Sequence, residues 1–206
     1  VRQHNAPKNY KPTLGFENIH YHWDEAAKSW IVQILPGEYY VTHAEEIIAT
    51  VLGSCVSTCV RDRNTGLGGM NHFMLPEDPR KDKGGDALRY GCFAVERLIN
   101  ELLKRGAERS ELESKVFGGG QVLAGLGDIG RSNVEFVRNY LREEQLCSVA
   151  EDVGGSWARR LRYYPRTGRA LIKHLPMREA AKIGSREQDF RAKLQSERVI
   201  GEVELF

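Results

Sequence analysis

Two side chains in this 206-residue sequence have the chemistry for nucleophilic catalysis and a spacing that can bring them together. Cys55 stands in Leu52-Gly53-Ser54-Cys55-Val56, where glycine and serine leave the backbone small and accessible. A thiolate is a strong nucleophile, but an ordinary cysteine is mostly protonated near neutral pH. It needs a basic partner within hydrogen-bond reach. His72, in Gly68-Gly69-Met70-Asn71-His72-Phe73-Met74-Leu75, is the candidate. The segment between them, Asp62-Arg63-Asn64-Thr65-Gly66, is rich in turn formers. A β-hairpin turning from Arg63 to Gly66 sets Asp62 opposite Leu67 and Cys55 opposite Met74. His72 is then the diagonal neighbour of Cys55 on the same face, roughly 4.5 to 8 Å away at Cβ. A two-residue turn would set the two directly opposite. A three-residue turn without a bulge would send them to opposite faces. The spacing permits a Cys–His dyad without requiring it, since two core residues of a strand would read the same.

The other reactive side chains make weaker cases. Cys59 shares the face of Cys55 but has no matched histidine, and packing is its expected job. With Cys92 and Cys147 the chain has four cysteines and no Cys-x-x-Cys pair. That spacing is wrong for the usual structural zinc sites, and no metal is expected. His43 has no nucleophile beside it, and His174 reads as an exposed strand residue. His20 and His22 alternate as strand neighbours would, among Tyr21, Trp23 and Trp30; a solvent-exposed arm with aromatic anchors is expected there rather than a metal site. The strongest competitor is Gly125-Leu126-Gly127-Asp128-Ile129-Gly130, which fits the G-x-G-x-x-G pattern before a helix, with Asp152 further on. It offers an alternative reading as a dinucleotide-binding enzyme. Against it, no second βαβαβ half is visible. These glycines read instead as tight turns near the site, and no cofactor is expected.

The elements that must position these residues follow from pattern and punctuation. A short strand is expected over Glu38-Tyr39-Tyr40-Val41 after the Pro36-Gly37 turn. The first hairpin arm is expected to run unbroken from Thr50 through Val60, and the return arm from Leu67 to Leu75, stopped by Pro76. Residues 77–85 are charged and rich in glycine and proline, hence an exposed loop. Asp86 can cap the helix that follows, whose apolar face is Leu88, Cys92, Val95, Leu98, Ile99, Leu102 and Leu103, ended by Gly106. A strand over Ser114 to Phe117 precedes a Gly118-Gly119-Gly120 run. Ser132 and Glu135 predict a capping box and a helix over Val134 to Leu141. A strand over Cys147 to Ala150 follows. Leu161 to Tyr164 and Arg169 to Lys173 flank a Pro165-Arg166-Thr167-Gly168 turn and predict a second hairpin. Ser185 and Gln188 predict a last helix over Arg186 to Gln195. The alternating Val203, Leu205 and Phe206 predict a strand-like tail that could dock on a partner.

Composition bounds the function class. Net charge is +2, from 30 basic and 28 acidic residues, so nothing points to nucleic acid. Arg159, Arg160, Arg162, Arg166 and Arg169 cluster, which reads as a solvated strand face or a contact for an acidic partner. No apolar run approaches the ~20 residues of a membrane span, so no membrane insertion is expected. The N-terminus lacks the layout of a signal peptide, and the expected location is cytoplasmic.

The motif around Cys55, followed by Gly68-Gly69-Met70-Asn71-His72-Phe73-Met74-Leu75-Pro76, resembles the CheD family of chemoreceptor glutamine deamidases. Arg89-Tyr90-Gly91, Phe117-Gly118-Gly119, Ile129-Gly130-Arg131-Ser132-Asn133 and Asp152-Val153-Gly154-Gly155 follow in the family's order. The resemblance covers roughly residues 35–177. It implies a papain- or transglutaminase-like amidase related to bacterial toxin deamidases, with Cys55 as nucleophile and His72 as base. It implies a threonine shortly before the cysteine as third member, for which Thr50 is the candidate. On one regular strand Thr50 and Cys55 would point to opposite faces, and a bulge near Gly53 would be needed to bring them together. The implied substrates are glutamines of methyl-accepting chemotaxis receptors, and the implied further partner is a CheC-type phosphatase. A non-catalytic adaptor using the same cleft is the alternative within the family. The expected architecture is a single α+β domain at residues 36–177, a sandwich of mixed, largely antiparallel β-sheet with helices. It is flanked by an N-terminal extension at 1–35 and a C-terminal helix and tail at 178–206.

Overall fold

The computed structural model describes residues 10–75, 86–122 and 128–196. The expected loop at 77–85 and the docking tail over Val203, Leu205 and Phe206 lie outside the described residues.

Among the described residues ten strands form two five-stranded sheets. The first is built from β1 (His20–Asp24), β2 (Ser29–Gln33), β4 (Glu46–Leu52), β9 (Ala158–Tyr164) and β10 (Arg169–Leu175), in the order β1-β2-β4-β9-β10. The second holds β3 (Tyr39–Thr42), β5 (Val56–Asp62), β6 (Gly68–Asn71), β7 (Leu112–Gly118) and β8 (Cys147–Val153), in the order β3-β6-β5-β7-β8. Pairing is antiparallel except at β2–β4 and β7–β8. One apolar core joins the sheets, taking Val32, Ile48, Leu52, Leu161 and Tyr163 from the first and Val56, Val60, Met70 and Val116 from the second. Helices α1 (Asp86–Lys104) and α2 (Ile129–Glu143) pack on the second sheet, α1 through buried Val95, Leu98, Ile99 and Leu102. Gly106, at φ 98°, ends α1 as a left-handed cap. Helix α3 (Met177–Ser196) lies against β9. Among the described residues no helix is long and apolar enough to cross a membrane.

The α+β class with mixed sheets agrees with the sequence, and four local expectations need correction. The arm from Thr50 through Val60 is not one strand: β4 ends at Leu52 in the first sheet, and β5 starts at Val56 in the second. Residues 53–55 are the crossing between the sheets. The expected arm around His20 to Trp30 is exposed at His20, Tyr21 and His22, but it is paired as the β1–β2 hairpin, fixed by parallel pairing of β2 on β4 from Trp30↔Glu46 to Gln33↔Ala49. Tyr10 stacks on Trp30 there and donates to Glu46. Neither capping box starts a helix. Ser132 lies inside α2, where its N–H bonds back to the Asp128 carbonyl, and Ser185 lies inside α3, its hydroxyl on the Ala181 carbonyl. The S-x-x-E/Q pattern marks a helix start only where the backbone before the serine leaves the helix, and in both places the chain is already helical.

The first hairpin has the register read from its turn: Cys59↔Met70, Val60↔Gly69 and an isolated Val56↔Phe73 bridge. The arginine cluster is largely paired within the fold. Arg159 is buried on Asp152, Arg162 bonds Asp24, and Arg166 approaches Glu45.

Candidate active site

The crossing at residues 53–55 is held by its carbonyls. The Gly53 carbonyl accepts from Gly120 N–H at 2.7 Å, Ser54 from Asn133 Nδ2 at 2.8 Å, and Cys55 from Gly119 N–H at 2.8 Å. Gly118, at φ 111°, makes this approach possible, since a Cβ there would lie 2.2 Å from the Cys55 carbonyl oxygen. With the carbonyls so engaged, the three N–H groups converge on one point, a backbone nest suited to an anion.

A carboxylate occupies that nest. Glu187 of α3 accepts Gly53 N–H at 2.7 Å and Cys55 N–H at 3.3 Å on Oε1. On Oε2 it accepts Ser54 N–H at 2.6 Å and Ser54 Oγ at 2.7 Å. Cys55 Sγ, a His72 ring nitrogen and a Glu187 oxygen lie within 4.8 Å of one another, and all three residues are buried. The donor types would suit a metal, but the four donors already fill the lone pairs of the carboxylate. It is held by backbone rather than aimed at a cation.

His72 follows β6 and is clamped through its backbone: its N–H donates to the Glu38 carbonyl and its own carbonyl accepts from Gly37. Its Nδ1 lies 2.8 Å from Thr50 Oγ1, and that hydroxyl is 2.9 Å from the Ile34 carbonyl. A threonine has one proton. Donating it to Ile34 leaves Oγ1 to accept from Nδ1–H, so Nε2 keeps its lone pair. Nε2 is buried with no hydrogen-bond partner. Thus the structure brings Cys55, His72 and Thr50 together. The strand-parity objection to Thr50 disappears because the strand ends at Leu52. Burial pushes the Cys55 thiol well up, and the charge and hydrogen bond of Glu187 push the same way. Burial also pushes the His72 imidazole down to about 3, against a smaller upward pull from the Ile34 carbonyl. In this arrangement the pair is a thiol and a neutral imidazole.

The remaining candidates lie elsewhere. Cys59 is buried in the core, and Lys115 only partly offsets the upward push of burial on its thiol. His43 contacts the Thr65 carbonyl, and His174 contacts Asp152 and stacks on Trp157. Of the glycine-rich competitor, residues 125–127 lie outside the described residues. At the start of α2, Gly130 packs against the Gly119 and Gly120 carbonyls, within 3.0 Å of where its Cβ would stand. Those carbonyls face the helix N-terminus where a pyrophosphate would have to sit. A groove of about 730 Å³ lined by Lys11, His43, Glu46 and Arg105 contains none of Cys55, His72 and Thr50.

Comparison with known proteins identifies the family. The family model described as CheD chemotactic sensory transduction matches residues 74–174. A protein of Methylobacillus flagellatus named probable chemoreceptor glutamine deamidase CheD is 47% identical over 190 residues, covering 90% of this chain and 94% of that one. A protein of the same name from Janthinobacterium sp. (strain Marseille) is 50% identical over 198 residues, covering 92% and 94%. The chain belongs to the CheD family. Within that CheD frame two site residues were missed by sequence reasoning. Glu187 lies 132 positions after Cys55, in a helix whose only visible signal was a misread capping box. Asn133 closes the Ile129-Gly130-Arg131-Ser132-Asn133 motif, where nothing in the sequence assigns it a role. Its side chain, fully buried, bridges Ser54 and the Leu75 N–H at 2.9 Å.

Two expected results follow for this CheD chain. Asn133→Leu leaves two buried backbone groups unpaired, so urea denaturation should show a loss of about 2 to 5 kcal/mol; a loss below ~1 kcal/mol would remove Asn133 as the brace. The second concerns pH. His72 binds its proton more weakly in the fold than at the ordinary value of 6.5. Between 6.5 and about 3 the unfolded chain therefore holds more protons. Stability falls as pH drops through that window, by up to about 1.4 kcal/mol per pH unit from this group. In His72→Gln that part of the slope should vanish; an unchanged slope would show that His72 does not stay neutral.

Proposed function

We propose that this chain deamidates glutamine side chains of chemoreceptors to glutamate, through a thioester on Cys55. The observation that supports it most is the convergence of Cys55 Sγ, a His72 ring nitrogen and a Glu187 carboxylate that marks where three backbone N–H groups meet. His72 Nε2 takes the thiol proton, and Sγ attacks the carboxamide carbon. The N–H groups of residues 53–55, now on Glu187, receive the oxyanion of the tetrahedral intermediate. The imidazolium, its Nδ1–H held by Thr50, returns the proton to the departing ammonia. Water deprotonated by His72 then cleaves the thioester and leaves glutamate. Cys55 as nucleophile, His72 as base and Thr50 as the residue orienting it are thereby assigned roles.

The Cys–His–Thr arrangement on a sheet crossing also supports a papain- or transglutaminase-like ancestry. The family resemblance supports a cytoplasmic setting and a CheC-type phosphatase as a further partner. A purely adaptor reading gives no reason for a Thr50–His72 hydrogen bond behind a cysteine, nor for a nest of N–H donors. Incubation with a receptor cytoplasmic fragment should release one ammonia per glutamine changed, each adding about one dalton to the fragment as amide becomes acid. No ammonia with a folded receptor fragment would refute the assignment.

A further inference from the structure

Helix α3 presents one face to the rest of the protein. Ala180 is buried with Ala158 and Leu175, and Ile183 packs on the same cluster beside Val51 and Val122. Glu187 is 2% exposed in the nest, and the Phe190 ring lies against Gly37, 3.4 Å from where a Cβ would stand. These positions recur at three- and four-residue steps, so one helical stripe centres a carboxylate on the reactive cysteine. Gly53 is what admits it: a Cβ there would meet Glu187 Oε2 at 2.7 Å. A buried charge of this kind is costly unless its bonds are complete, and all four acceptor positions are filled. The carboxylate cannot assist a bound substrate from this position, because it occupies every N–H that a substrate carbonyl would need.

Resting on the deamidase reading, we propose that α3 is an internal product mimic. Glu187 sits where the glutamate made from a substrate glutamine would sit. The surface beneath Ala180, Ile183, Glu187 and Phe190 is then the docking surface for a substrate helix. That helix carries its glutamine between small or apolar residues spaced as these are, and it must displace α3 to react. The resting state is autoinhibited: α3 fills the nest and occupies the N–H groups that would hold the oxyanion.

The test is to make the mimic a substrate. In full-length Glu187→Gln, Cys55 Sγ attacks the side-chain carbon of the new amide. Ammonia leaves with a proton, and water hydrolyses the thioester to restore a glutamate at 187. Peptide fragmentation that separates position 187 from Gln188 should find glutamate there in the single variant and glutamine in the double variant with Cys55→Ala. Receptor fragment is assayed in parallel. An unconverted 187 in a protein that deamidates receptor overturns the mimic and leaves the deamidase standing. An unconverted 187 with receptor also unchanged overturns both. Independently of that chemistry, Glu187→Ala should raise both iodoacetamide labelling of Cys55 and receptor deamidation by about 10-fold or more, as a mostly closed population opens. Rates equal to the parent protein would contradict autoinhibition.

Discussion

Cys55→Ala is expected to abolish receptor deamidation, by roughly 10⁴-fold or more, the scale seen when a covalent nucleophile is removed. The fold should survive. The substitution deletes one buried sulfur, and the backbone of Cys55, which carries its structural bonds, is untouched. Cys59→Ala is the matched control: it deletes the same atom four residues further on, inside β5, at a cost of about 1 kcal/mol. Cys59 is buried in the core without an imidazole described beside it, so activity should persist. A dead Cys59 variant beside an active Cys55 variant would mean the wrong thiol has been named. Circular dichroism on both proteins separates lost chemistry from lost structure.

His72→Ala is expected to lower the rate by roughly 100-fold or more, the range for a lost general base. The effect should be largest on the chemical step, since no other imidazole approaches Cys55 among the described residues. Thr50→Val leaves the imidazole in place but removes the acceptor for Nδ1–H. The ring then loses its reason to hold Nε2 toward the thiol, and a smaller loss, about 10-fold, is expected from one mispositioned hydrogen bond of ~1.5 kcal/mol. Unaltered turnover in His72→Ala, with normal folding, would remove His72 from the mechanism.

What could be read in the sequence was what is encoded locally. The turn from Arg63 to Gly66 sets a register, as Cys59↔Met70 and Val56↔Phe73 show, and that register carries His72 to the end of β5 where Cys55 stands. Thr50 was harder, because parity along a strand is informative only while the strand continues. Nothing local to residues 53–55 announces that the chain leaves one sheet for another. The crossing is explained by distant groups: the Gly119 and Gly120 backbone, the Asn133 side chain and the Glu187 carboxylate. The extension around Trp23 and Trp30 read as an arm because a two-stranded hairpin is marginal alone. Its stability comes from parallel pairing with β4, a non-local contact. Glu187 was the least legible. A charged residue in an amphipathic helix reads as solvated, and its burial depends on donors more than 130 positions away.

The most direct measurement is the intact mass of a receptor cytoplasmic fragment after incubation with this protein in ¹⁸O-labelled water. Hydrolysis of a Cys55 thioester places one labelled oxygen in each new carboxylate. Each modified glutamine should then gain about three daltons, against about one in ordinary water, and none with Cys55→Ala. A receptor mass that stays constant with the folded wild-type protein, or that rises equally with Cys55→Ala, would contradict the account.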